Sequence, residues 1–74
     1  MPALAEVFPK DLLAAFLKTG FVIRHQSGSH VRLIHPDGRK LTIAMYPKPL
    51  PKGTLAAILR QAKISREELI QLLP

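Results

Sequence analysis

The sequence predicts an α+β domain, a three-stranded antiparallel sheet with helices on one face, in the order α-β-β-β-α plus a short C-terminal helix. Apolar residues recur at a helical period near both ends of the chain, whereas the stretch between favours β-formers. That middle stretch is cut by two turn signals, Ser27-Gly28-Ser29 and Pro36-Asp37-Gly38, which divide it into consecutive hairpins. Helices placed on one side of such a meander hide their apolar stripes and leave the other side of the sheet open.

The elements follow in order. Residues 1–8 read as a short extension, with Leu4, Val7 or Phe8 available to pack on the body. Pro9, Lys10 and Asp11 open the first helix, where Asp11 can cap free amides or oppose the helix dipole from the first turn. Leu12, Leu13, Phe16 and Leu17 form its apolar face, and Gly20 stops it. Phe21 to Gln26 is rich in β-formers. After the turn, His30 to Ile34 alternates, with Val31 and Leu33 inward and His30 and Arg32 outward. The third strand runs from about Lys40 to Met45, with Leu41, Ile43 and Met45 on one face and Thr42 and Ala44 on the other. Pro47, Pro49 and Pro51 exclude regular structure from Tyr46 to Gly53. Thr54 is placed to cap a helix carrying Leu55, Ile58, Leu59 and Ala62. Ser65 and Glu68 have capping-box spacing and begin the last helix, with Leu69, Ile70, Leu72 and Leu73.

At 74 residues the chain is read as one domain over residues 1–74. A domain of this size buries roughly 60% of its unfolded surface, so its core is thin. It has no cysteine, which removes disulfides and thiolate-ligated zinc. A basic cysteine-free chain fits the cytoplasm; residues 1–8 do not read as a secretory leader, and no apolar run has membrane-spanning length, so no membrane partner is expected.

Charge says more about partners. Eleven Lys and Arg oppose five Asp and Glu, for a net charge of +6. Between Leu12 and Ser65 the only carboxylate is Asp37, against nine basic residues: Lys18, Arg24, Arg32, Arg39, Lys40, Lys48, Lys52, Arg60 and Lys63. A basic centre of this kind suits an anionic partner, of which nucleic acid is the commonest.

That composition also sorts the chemistry. Metal-dependent nucleases gather carboxylates around a hard cation, and here the interior of the chain has one. His25, His30 and His35 lack a further carboxylate or thiol to complete a zinc site, so no metal and no other cofactor is expected. Ser27, Ser29 and Ser65 have no acid to orient a histidine, and neither a Gly-x-Ser-x-Gly elbow nor a glycine-rich phosphate loop is present. RNA cleavage asks for less, because the 2′-hydroxyl is the substrate's own nucleophile. A histidine titrating near about 6.5 can move the protons, and lysine or arginine can neutralise the phosphorane. His30 follows the Ser-Gly-Ser turn and alternates onto the face of Arg32, near the turn amides of Gly28 and Ser29. Lys48 and Lys52 form a second basic cluster beside the Gly53-Thr54 helix start, whose amides attract phosphate.

Gly20-Phe21 opening the first strand, Gly28-Ser29-His30 at the second, and Lys52-Gly53-Thr54-Leu55 followed by Ile58-Leu59-Arg60-Gln61-Ala62 together resemble the HicA toxins of bacterial HicA–HicB toxin–antitoxin modules, from about Asp11 to Leu73. The resemblance implies a fold like a double-stranded-RNA-binding domain and a metal-independent endoribonuclease (an mRNA interferase) that arrests translation. It implies His30 as the catalytic histidine, Lys52 as a phosphate-gripping lysine, mRNA as substrate and a HicB-like antitoxin that covers the active face. Arg24, Gly28, Ser29, Arg32, Lys48 and Lys52 are the expected RNA-binding residues. Tyr46 stands where family members often carry another histidine, and His25 where an arginine is common. The second proton-transfer group is therefore His25, Tyr46, a lysine or water. A non-catalytic RNA-binding module and a basic protein-interaction domain are the alternatives for the same charge pattern.

Overall fold

The computed structural model describes residues 7–73, so Leu4 and the rest of residues 1–6 lie outside the described residues. Its elements are α1 (Pro9–Leu17), β1 (Val22–Ser27), β2 (His30–Ile34), β3 (Lys40–Ala44), α2 (Lys52–Ala62) and α3 (Arg66–Leu72). The strands form one antiparallel sheet in the order β1-β2-β3. The α+β layout and the order predicted from the sequence are both present.

α1 begins on Pro9, a residue that suits a first turn because the amide it lacks would have no helical partner there. Asp11 lies in that first turn, and no side chain caps the helix. Leu12, Ala15 and Phe16 face the core, while Leu17, expected in the apolar face, is 43% exposed. The helix turns Ala15 inward instead, and Leu13 is only partly covered. Past the helix, Gly20 (φ +99°) delivers Phe21 into the core, where its ring lies 5.3 Å from that of Phe16.

The turn between β1 and β2 contains two residues, with Ser27 opposite His30. Gly28 occupies its first position at φ +57° and Ser29 is not in the left-handed region, the pattern of a type II′ hairpin. β2 and β3 each bury alternate residues: Val31 and Leu33, then Leu41 and Ile43. β1 does not. The helices pack chiefly over β3 and one another, so every residue of β1 is exposed, including Val22 at 53% and Ile23 at 46%. The expectation that the helical layer hides the apolar stripes therefore holds for β2 and β3 only.

The proline segment is anchored at Leu50, whose side chain is buried and whose N–H donates to the Val7 carbonyl (2.8 Å). Val7 is itself buried and Phe8 is the N-cap residue of α1, so the end of the predicted extension belongs to the body. α2 starts at Lys52, three residues before the start that a Thr54 cap would give, with Pro51 as N-cap and no side-chain cap. Thr54 is thus inside the first turn and caps nothing. Leu55, Ile58, Leu59 and Ala62 are buried as the helical period requires. The helix closes on Lys63 in the left-handed region (φ 56°), with Lys63 N–H bonded to Arg60 and Ile64 N–H to Leu59. α3 has the capping box read from the sequence: Glu68 N–H donates to Ser65 Oγ, and Ser65 N–H donates to the Glu68 carboxylate. Lys18 Nζ donates to the Leu72 carbonyl (3.0 Å) and ties α1 to the end of α3.

A Cβ on Gly20 would stand 3.0 Å from Nε2 of His35, in a backbone region that side chains rarely adopt. Gly20→Ala is expected to lower stability by about 1–3 kcal/mol, read as a reduced denaturation midpoint at unchanged slope.

Candidate functional site

The site is built on the middle strand. Because Val31 and Leu33 point into the core, alternation turns His30 and Arg32 to the uncovered face, and both are exposed. Opposite residues in an antiparallel pair share a face. Ser27 and Ala44 therefore flank His30, while His25 and Thr42 flank Arg32. His25 and His30 are diagonal neighbours, a relation that sets backbones about 7–8 Å apart. The Tyr46 ring stands edge-on to that of His30, with centroids 6.4 Å apart.

A bulge between Ile23 and His25 settles the place of Arg24. Unbroken pairing from the hairpin would put Arg24 opposite Leu33, on the helix side. The extra residue takes Arg24 out of the ladder and lets Ile23 oppose Leu33. His25, not Arg24, is thus the basic residue of β1 that lies beside Arg32.

An open groove of about 820 Å³ begins at His30 and Arg32, passes over β3 at Thr42 and Ala44, and reaches Gly53, Thr54, Ala57 and Gln61 of α2. Lys40 is also on its wall. A second groove of about 510 Å³ shares Ala44, Leu50 and Thr54 with the first and continues to Tyr46 and Lys48. The structure thereby brings His30 and Arg32 into one groove and Lys48 into its neighbour. Gly28 and Ser29 stand at the hairpin tip, where the Ser29 carbonyl accepts a bond from Met45 N–H. Lys52 is the exposed first residue of α2 and lines neither groove, and Arg24 lines neither.

Gly53 and Thr54 read from the sequence as part of a basic helix start, whereas the walls contributed by Thr42 and Gln61 were not anticipated. Thr54, Ala57 and Gln61 have i, i+3, i+7 spacing beside the buried stripe of α2, so their common side was readable. That this side borders β3 was not.

The remaining charged groups of the hairpins lie at the opposite end of β2. His35 Nε2–H donates to the Thr19 carbonyl (3.0 Å), and Asp37 N–H donates to His35 Nδ1 (3.2 Å). The His35 ring meets Phe21 edge-on at 5.1 Å. Arg39 holds the Asp37 carboxylate through Nε (2.8 Å), stacks its guanidinium over Phe21 at 5.1 Å, and donates to the Ala62 carbonyl. The side-chain and then the backbone hydrogen bonds from Arg39 hold the Asp37 carboxyl below its ordinary range. The one interior carboxylate is consequently committed to a turn, away from the groove. Among the described residues no group of three or more His, Cys, Asp or Glu side chains is gathered, and no helix is long and apolar enough to cross a membrane.

A small basic α+β domain with the helix-and-sheet order of double-stranded-RNA-binding domains, presenting a histidine and an arginine on its open sheet face, is the class of protein these features define. The profile of the family described as HicA toxin of bacterial toxin–antitoxin matches residues 9–64, well over half the chain, and the protein belongs to that family. No individual curated protein matches it.

The depressed Asp37 value sets a pH dependence. An aspartate unfolded near about 3.9 and lower when folded adds stability above that pH, which is lost as pH falls through the folded value. Asp37→Asn keeps an acceptor for the turn but not the charge. It is expected to be less stable than the parent at pH near neutral, by an amount that shrinks with added salt. The difference should vanish in acid, as read by urea denaturation across pH.

Proposed function

We propose that this HicA-family toxin is a metal-independent endoribonuclease that cleaves mRNA by transesterification, with His30 as the catalytic residue. The observation that carries the reading is the pairing of His30 and Arg32 in one groove on a sheet face whose nearest elements bring no carboxylate. An imidazole there can move protons, and a guanidinium can hold a phosphate without competition from an acidic side chain.

In this mechanism one proton-transfer group removes the 2′-hydroxyl proton as the 2′-oxygen attacks phosphorus. The bond from phosphorus to the 5′-oxygen breaks, and a second group protonates the departing oxygen. His30 performs one of these transfers. His25, diagonal to it across the β1–β2 pair and on the same face, is the candidate for the other. Arg32 stabilises the phosphorane. Lys48, Lys52, Arg24 and the amides of Gly28 and Ser29 hold flanking phosphates along the strand. The products carry a 2′,3′-cyclic phosphate, or the 3′-phosphate that follows from its hydrolysis, and a 5′-hydroxyl. Family membership further supports a HicB-like antitoxin as the neutralising partner and action in the cytoplasm.

Induced expression of the parent should arrest growth and leave such RNA ends, with cleavage insensitive to chelators. His30→Ala should slow cleavage by at least about a hundredfold, the usual worth of a positioned acid–base group. Ends carrying 3′-hydroxyls, or full activity in His30→Ala, would overturn the assignment, and RNA binding with no cleavage by the parent would favour a binding module. Binding should also weaken steeply with salt, and Arg32→Ala should shallow the slope of log K against log salt by about 0.7, the value of one single-strand phosphate contact.

A further inference from the structure

The hydrogen-bond parity of the β2–β3 ladder exposes a feature of the groove distinct from its catalytic groups. Met45 N–H donates to the Ser29 carbonyl, and His35 N–H donates to the Arg39 carbonyl (2.9 Å). These contacts flank the ladder at both ends, so the bonded rungs between them are Val31↔Ile43 and Leu33↔Leu41. The alternate rungs, His30↔Ala44, Arg32↔Thr42 and Ile34↔Lys40, exchange no bonds. Lys40, Thr42 and Ala44 therefore aim their N–H and C=O groups outward from β3, and among the described residues none of these groups has a backbone or side-chain partner.

These three residues all wall the 820 Å³ groove. β1 is the other edge of the sheet, but its bulge breaks the row of donors and acceptors. β3 pairs in unbroken register over its whole length and holds no proline. An edge left regular, beside an open trough, is a template for a further strand.

We infer that the β3 edge is a strand-addition site for an extended polypeptide segment that alternates apolar and acidic side chains. A strand laid there has two sides. One meets Leu50, Ala57 and Ile58, an apolar floor between the sheet and α2. The other meets Arg32 and Lys40, and residues 38–66 contain no carboxylate to repel an acid. Apolar residues on the first side and glutamates or aspartates on the second satisfy both, and a period of two supplies that alternation. Such a strand also fills the space beside His30. That it would silence the site rests on the ribonuclease reading above.

The probe is a short peptide alternating valine and glutamate, about the length of an ordinary strand of five or six residues. Its binding is followed by amide chemical shifts of the unaltered protein. The expected result is saturable shifts centred on Lys40, Thr42 and Ala44. N-methylation of one alternate set of peptide amides should weaken binding by at least about tenfold, as lost strand hydrogen bonds require, while methylation of the other set spares it. That asymmetry belongs to strand addition and not to charge alone. Thr42→Pro should weaken binding similarly, because Thr42 N–H takes no part in the β2–β3 ladder. The methylated peptides on the parent decide the matter even if this variant fails to fold. Equal binding of both methylated peptides, shifts confined to β1, or no binding would overturn the inference. So would shifts at Thr42 and Ala44 produced by a short oligouridine but not by the peptide, which would assign the edge to an RNA strand. The readout is binding, so its outcome is separate from whether the parent cleaves RNA.

Discussion

Val31 and Leu33 lie covered in the core, and a strand's period of two then leaves no freedom for the residues between and beside them. His30 and Arg32 must face outward. The register of both hairpins carries that orientation sideways, to His25 and Ser27 on one side and Thr42 and Ala44 on the other. A slip of one residue in either pairing would exchange the faces, burying charge and exposing the core. Packing of two apolar side chains thus fixes the composition of a surface that neither of them touches.

The two ends of the sheet have been given different work. At the β2–β3 turn, Asp37, Arg39 and His35 satisfy one another, the Thr19 carbonyl and the end of α2, and they close over Phe21. Their hydrogen-bonding groups hold the turn and the α1–β1 connection together. At the other end, His30 and Arg32 have no acid opposite them in the sheet. An anionic ligand arriving there meets positive charge without an internal competitor, which is the condition that phosphate binding needs.

The thin core makes connections matter as much as elements. The buried Leu50 side chain and its bond to Val7 fasten a segment that contains three prolines and could form no ladder of its own. That segment sets where α2 starts, and hence how Thr54, Ala57 and Gln61 come to border β3. The helices then cover β2 and β3 and stop short of β1. Val22 and Ile23 remain in the open as a result, although their residue types read as core.

Local chemistry made much of the molecule legible from sequence alone. Gly28 and Pro36-Asp37-Gly38 specify turns, alternation specifies the faces of β2 and β3, and Ser65 with Glu68 specifies a capping box; each acts through neighbours a few residues away. His30 and Arg32 on one exposed face follow from the same alternation. What tertiary structure alone decided involves partners distant in sequence. The bulge that ejects Arg24 and seats His25 depends on pairing across the hairpin. The exposure of Leu17 and Ile23 depends on how far the helical layer extends. The start of α2 at Lys52 follows from the anchored proline segment, and the groove exists only because α2 comes to rest beside an edge strand. Sequence periodicity records which side of an element is apolar, but not which other element will cover it or where that cover ends.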